Sequence, residues 1–195
     1  QKGPVSEEVQ ATTGPAEKSS TANFVGADSK TMGNWATIYG ADGFIMPRYF
    51  YGRDCQAFPN YISAVEYGNL TGHQLSTWNT STDSSLLTSP ISYCARYLGA
   101  VETSGVDSIT VYVNDAHTHE LAIYACDFDK AGRQQSIEIL DLEDHILSPV
   151  QKMTAFEKGC WLRYKFSGSF KLRLTNLNHA TTAALSALMF DNESI

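Results

Sequence analysis

The chain has 195 residues, 43 % of them hydrophobic, and a formal net charge of −7. That is enough apolar material for one sizeable core, and too acidic for nucleic acid or an anionic membrane as main partner, because both demand a basic surface. No run of about 18 apolar residues occurs, so no membrane span is expected.

Residues 1–22 are rich in Gly, Pro, Ser, Thr, Glu and Lys. Such a stretch cannot bury enough surface to offset the entropy of ordering, so it reads as an extended tail ahead of a domain at 23–195. Val5, Val9 and Ala11 fall on one side of an extended strand and could add to an exposed sheet edge. Thr12 and Thr13 sit between Pro4 and Pro15, the composition of an O-glycosylated stalk or a flexible linker. The start at Gln1 rather than Met reads as a mature, secreted chain whose signal peptide has been removed.

Beyond the tail, short apolar runs alternate with turn residues. "NWATIYGADGFIMP" reads as two strands joined by a hairpin at Asp42-Gly43. "AFPNYISAVEYGN" reads as a strand, and residues 68–90 as an irregular polar loop carrying Trp78. "SITVYVND", "HELAIYACDFD", "QSIEILDLE", "CWLRYKFSG", "FKLRLTNL" and "LSALMF" alternate with the period of a strand. In "CWLRYKF", Trp161, Arg163 and Lys165 oppose Leu162, Tyr164 and Phe166, which predicts one solvated sheet face. The best candidate for a helical turn is "VQKMTAFEKG". Many short strands with regular turns predict an all-β antiparallel sandwich.

Cys55, Cys94, Cys126 and Cys160 have no metal-ligand spacing. They fit either disulfides, with Cys55–Cys94 and Cys126–Cys160 favoured as sequence neighbours, or buried thiols. Asn69, Asn79 and Asn192 open N-x-S/T sequons and are candidate glycan acceptors. His117 and His119 would share a strand face, as some metal sites require, but they lie in "DAHTHE" and read as solvated turn histidines. Asp127 and Asp129 could bind calcium, but read as a strand end with a turn-capping carboxylate. No nucleophile elbow, phosphate loop, dinucleotide fingerprint or zinc-protease motif occurs, so neither an enzyme nor a cofactor is expected. Among aromatics of the first half (Trp35, Tyr39, Tyr49, Tyr51, Tyr61 and Trp78), Trp35, Tyr39 and Trp78 are the candidate sugar-binding rings.

"GNWATIYGADGFIMP", "YACDFDKAGRQQSIEILD", "WLRYKFSGSFKLRLTN" and "LSALMFD" together resemble a β-sandwich module of secreted bacterial proteins, appended there to glycan-active or adhesive domains. The resemblance covers roughly residues 24–191 and implies a jelly roll. The layout of tail plus jelly roll also resembles protomers of glycosylated extracellular fibrils. Some 22 extended residues reach about 70 Å, beyond a domain roughly 40 Å across. The first functional expectation is therefore a secreted, glycosylated subunit whose N-terminal arm docks head-to-tail on a copy of itself. The alternative is a carbohydrate-binding or adhesive module.

Overall fold

The structure, a computed structural model, describes residues 19–76, 82–91 and 95–193. Among these there is no helix, and the strands pair antiparallel throughout, as the alternation predicts. A six-stranded sheet runs in the order β1 (Thr21–Asp28), β12 (Cys160–Ser167), β9 (His119–Ala125), β15 (Ala187–Asn192), β2 (Gly43–Phe50), β3 (Arg53–Ala57). Facing it is a five-stranded sheet: β11 (Gln151–Met153), β10 (Gln135–Leu140), β13 (Phe170–Asn176), β8 (Val106–Val113), β4 (Ile62–Tyr67). A smaller sheet joins β14 (Ala183–Leu185), β7 (Arg96–Thr103) and β5 (Thr71–Ser76), with β6 (Leu87–Thr88) paired to β7. The fold is an all-β antiparallel sandwich.

The central strands of the six-stranded sheet are buried on both faces. Leu121, Ile123, Leu162, Tyr164, Phe166, Leu188 and Phe190 point into the core shared with the five-stranded sheet. The alternate residues Ala122, Tyr124, Cys126, Trp161, Ala187 and Met189 form a second core, closed by Trp35, Tyr39, Leu86 and Leu87. The expected solvated face is therefore covered at its Trp161 end, while Arg163 and Lys165 stay half-exposed: Trp161 is fully buried and its indole Nε1 donates to the Met32 carbonyl at 2.6 Å. The polar neighbours Arg163 and Lys165 conceal this in the sequence, because only the Trp161 end of their row lies under the second layer.

Two local readings are corrected. "NWATIY" is a turn rather than a strand, with Ile38 and Tyr39 donating their amides to the Trp35 carbonyl. Asp42-Gly43 is not a hairpin, and neither residue has the positive φ such a turn requires; Gly43 simply opens β2. "VQKMTAFEKG" contains β11 and a turn at Glu157–Lys158. At the N-terminus, Thr21 and Ala22 belong to β1, paired with Ser167 and Phe166, so the last residues assigned to the tail are sheet. Val5, Val9, Ala11, Thr12 and Thr13 lie outside the described residues.

Candidate functional site

An apolar concavity lies where β2 turns into β3. Phe50 pairs with Arg53, so the turn has two residues, Tyr51 and Gly52, with φ of 50° and 72°. Positive φ at both positions is the type I′ signature, the turn whose twist matches a hairpin. Glycine enters this region freely, whereas tyrosine is strained there. The turn is held by Arg48, itself at φ 51°: its amide donates to Asp54 Oδ1 at 2.9 Å and its guanidinium to the Gly52 carbonyl at 3.2 Å. Strand β7 braces this irregular stretch from behind. A Cβ on Gly99 would stand 2.2 Å from the Pro47 carbonyl oxygen, so only glycine permits the approach.

The tip carries a continuous aromatic wall. Tyr51 meets Phe50 edge-on at 4.6 Å, Phe50 meets Tyr97 at 5.4 Å, and Tyr97 meets Tyr49 at 5.3 Å. The inner end is fixed: Tyr49 is buried, its hydroxyl donates to the Leu87 carbonyl at 2.9 Å, and burial pushes its phenol pKa up. The outer end faces water, with Phe50 44 % and Tyr51 67 % exposed. Tyr49, Phe50 and Tyr97, with Arg53, Asp54, Cys55, Ser89, Pro90, Ile91 and Ala95, line a cleft of about 560 Å³, and Tyr51 stands beside it against Phe50. An apolar wall with a few polar groups beside it can stack the C–H face of a sugar ring and hydrogen-bond its hydroxyls.

The expected sugar-binding rings do not contribute. Trp35 is buried, packs on Phe44 at 5.4 Å and donates Nε1 to the Thr88 carbonyl at 2.8 Å. Tyr39 is buried on Trp161 at 4.8 Å and donates to Asp28 Oδ2 at 2.7 Å. Both are core residues of the second layer, and Trp78 lies outside the described residues. Phe50 and Tyr97 were missed because the wall forms across two distant segments, 49–51 and β7. Only the adjacent Tyr49, Phe50, Tyr51 and Gly52 could have signalled it.

The paired histidines separate. His117 is exposed, but His119 is buried at the start of β9, stacked on Tyr61 at 3.6 Å; it lies in the core and is no solvated turn residue. Both rings meet Asp115, His117 Nδ1 at 3.2 Å and His119 Nε2 at 2.9 Å. Asp127 is buried and accepts the amides of Ala131, Gly132 and Arg133 together with the Arg133 guanidinium. Arg133 also meets Asp129 and Glu102, so this cluster is an ion-paired turn cap. Asp141, Glu143 and His145 bring ligand atoms within 4.8 Å of one another, a grouping the sequence reading passed over. Asp141 is committed to its own turn, accepting the amides of Glu143 and His145 and the His145 ring.

Cys55, Cys126 and Cys160 are free thiols, which overturns Cys126–Cys160. The register explains it: Cys160 pairs with Ala125, so Cys126 points to the opposite face, into the second core, while Cys160 packs on the first. Burial pushes the Cys126 thiol up to about 12. With Cys55 free, the Cys55–Cys94 bridge is absent too; Cys94 itself lies outside the described residues. Asn69 and Asn192 are exposed, and Asn79 lies outside the described residues.

Neither a family model nor a curated protein matches the chain. Among solved structures, TmCBM61 in complex with β-1,4-galactotriose aligns at 11 % identity and a TM-score of 0.40, over 67 % of this chain and 90 % of that one. The enzymatically active domain of bacteriophage CBA120 tailspike protein 4 aligns at 8 % identity and a TM-score of 0.34, over 66 % of this chain and 19 % of that one. At such TM-scores neither likeness bears on what this chain binds.

Proposed function

We propose that the protein is a non-catalytic carbohydrate-binding module that takes its ligand in the cleft at the β2–β3 turn. One observation carries the reading: Tyr51, two-thirds exposed, is held in a strained left-handed conformation at the open end of an otherwise anchored aromatic wall. Exposed strain of this kind does nothing for stability, and strained residues concentrate at binding sites. The rings are preorganised by Arg48 and β7, which lowers the entropy lost on binding.

The test is calorimetric titration with a panel of soluble oligosaccharides. Tyr51→Ala and Phe50→Ala each weaken a bound glycan by tenfold or more, about 1.4 kcal/mol, as removal of an interface anchor does. Phe58→Ala, an exposed ring outside the cleft, changes nothing. Binding that survives both tip variants, or no glycan bound at all, removes the reading. Trp35→Ala is not a test, since it empties the second core.

A second reading, a secreted and glycosylated subunit assembling through its N-terminal arm, has one observation in its favour. β1 is the outermost strand of its sheet and continues directly from residues 1–18, so its outer edge can receive an added strand. Deletion must stop at residue 18, because Thr21 and Ala22 are in β1. Polymers that persist in that truncation remove this reading.

A further inference from the structure

We infer that the ligand of the β2–β3 cleft is an acidic saccharide whose carboxylate is held by Arg53. This rests on the carbohydrate reading above and adds the ligand's class.

Arg53 lines the cleft and is exposed, and its guanidinium makes no hydrogen bond or ion pair among the described residues. Four other arginines are committed within the chain: Arg48 to the Gly52 carbonyl, Arg96 to the Leu86 carbonyl, Arg133 to Asp127, and Arg173 to Glu138; Arg163, whose Nε is buried without a partner, lies on β12 away from this cleft. The adjacent Asp54 carboxylate borders the same cleft but makes no ion pair with Arg53 among the described residues, and its Oδ1 accepts the Arg48 amide. Arg53 stands directly across from Phe50, so ring and guanidinium flank the same space. A pyranose lying on Phe50 and Tyr51 places a ring carboxylate beside that guanidinium. The planar fork of arginine accepts a carboxylate with two parallel hydrogen bonds, a geometry lysine lacks. The net charge of −7 gives no long-range pull on an anion, so a preference for acid must arise from this contact and vanish with it.

The experiment compares oligogalacturonate with its carboxyl-reduced, neutral form by calorimetric titration, with a sulfated galactan as a third probe. The acid form binds at least tenfold tighter than the reduced form. Arg53→Gln brings the two to the same affinity, Arg53→Lys restores part of the preference, and Tyr51→Ala weakens both. Equal affinity for acid and reduced forms in the native chain overturns the inference and leaves the carbohydrate reading standing. Tighter binding of the sulfated galactan than of the uronate overturns the assignment of a carboxylate. Failure of all three probes in the native chain, with no other glycan of the panel bound, overturns the carbohydrate reading on which the inference rests.

Discussion

Tyr51→Asn should leave the fold as stable as before, or more so, while removing ligand binding. A non-glycine residue in the left-handed region costs roughly 1–2 kcal/mol. Asparagine is better tolerated there because its short side chain bonds locally, and Asn-Gly is the favoured pair of a type I′ turn. The φ of 50° at Tyr51 and 72° at Gly52 makes this substitution the match for the turn. Against the gain stands the edge contact of Tyr51 with Phe50 at 4.6 Å. With Tyr51 67 % exposed, that contact belongs at the low end for aromatic pairs, about 0.5 kcal/mol. The net is a stabilisation of about 0.5–1 kcal/mol, which raises Tm by roughly 1–4 °C for a domain of this size. Thermal denaturation and titration with the best glycan of the panel, on one preparation of the variant, read both quantities. A variant destabilised by more than about 1 kcal/mol that still binds would refute the reasoning, because Tyr51 would then be a structural residue.

Arg133→Met removes the guanidinium paired with the buried carboxylates of Asp127 and Glu102, which costs about 3–5 kcal/mol, or roughly 6–20 °C in Tm; a loss below about 1 kcal/mol would mean that the cluster is solvated. In the same variant the Asp129 carboxyl rises: burial alone would raise it, and the Arg133 guanidinium holds it down, so the shift is readable by NMR titration. For Asp28, burial acts upward, but hydrogen bonds from Thr31, Tyr39 and the Thr31 and Lys30 amides bring its pKa from 3.8 to about 2. The folded value being the lower, this stabilisation is complete above pH 4 and is lost as pH falls from 4 to 2. It amounts to about 1 kcal/mol after solvent screening, and Asp28→Asn removes that part of the acid limb in pH-dependent denaturation. Non-reducing peptide mapping finds no Cys126–Cys160 link, and a linked peptide would contradict the register of β9 with β12.

The alternation of "HELAIYACDFD" made β9 legible, and carrying it back two residues from Leu121 places His119 on the same inward face. The coverage of that strand's other face was not legible. It is supplied by Trp35, Tyr39, Leu86 and Leu87, which are far away in sequence and lie in turns and a two-residue strand with no periodicity of their own. The hairpin signals misled in a specific way. Asp42-Gly43 has the composition of a type I′ turn but opens a strand, whereas Tyr51-Gly52 has the backbone of that turn without its composition. Composition reports what a turn prefers, and the native backbone departs from it where packing elsewhere over-determines the chain. For the cleft, Tyr49 and Tyr51 were visible as aromatics. Their union with Tyr97 depends on β7 lying across β2, a long-range contact that no local pattern encodes.

The layering also determines where a ligand can be met. In a two-layer sandwich an outer sheet face is available as a binding platform, but here the second layer covers that face over the central strands of the six-stranded sheet. Trp35 and Tyr39, the rings best placed for such a platform, lie under that second layer. What the sheet leaves open is its periphery, and β3 is its edge strand at the end opposite β1. An edge strand ordinarily avoids exposed aromatics because they invite unwanted pairing. This edge instead displays Phe50 and Tyr51 on a turn stiffened by Arg48 and braced at Gly99. Stability accounts for the bracing of the Pro47–Arg48 bulge, which lies against buried Gly99. It does not account for a strained tyrosine facing water, and a ligand stacked on that ring does.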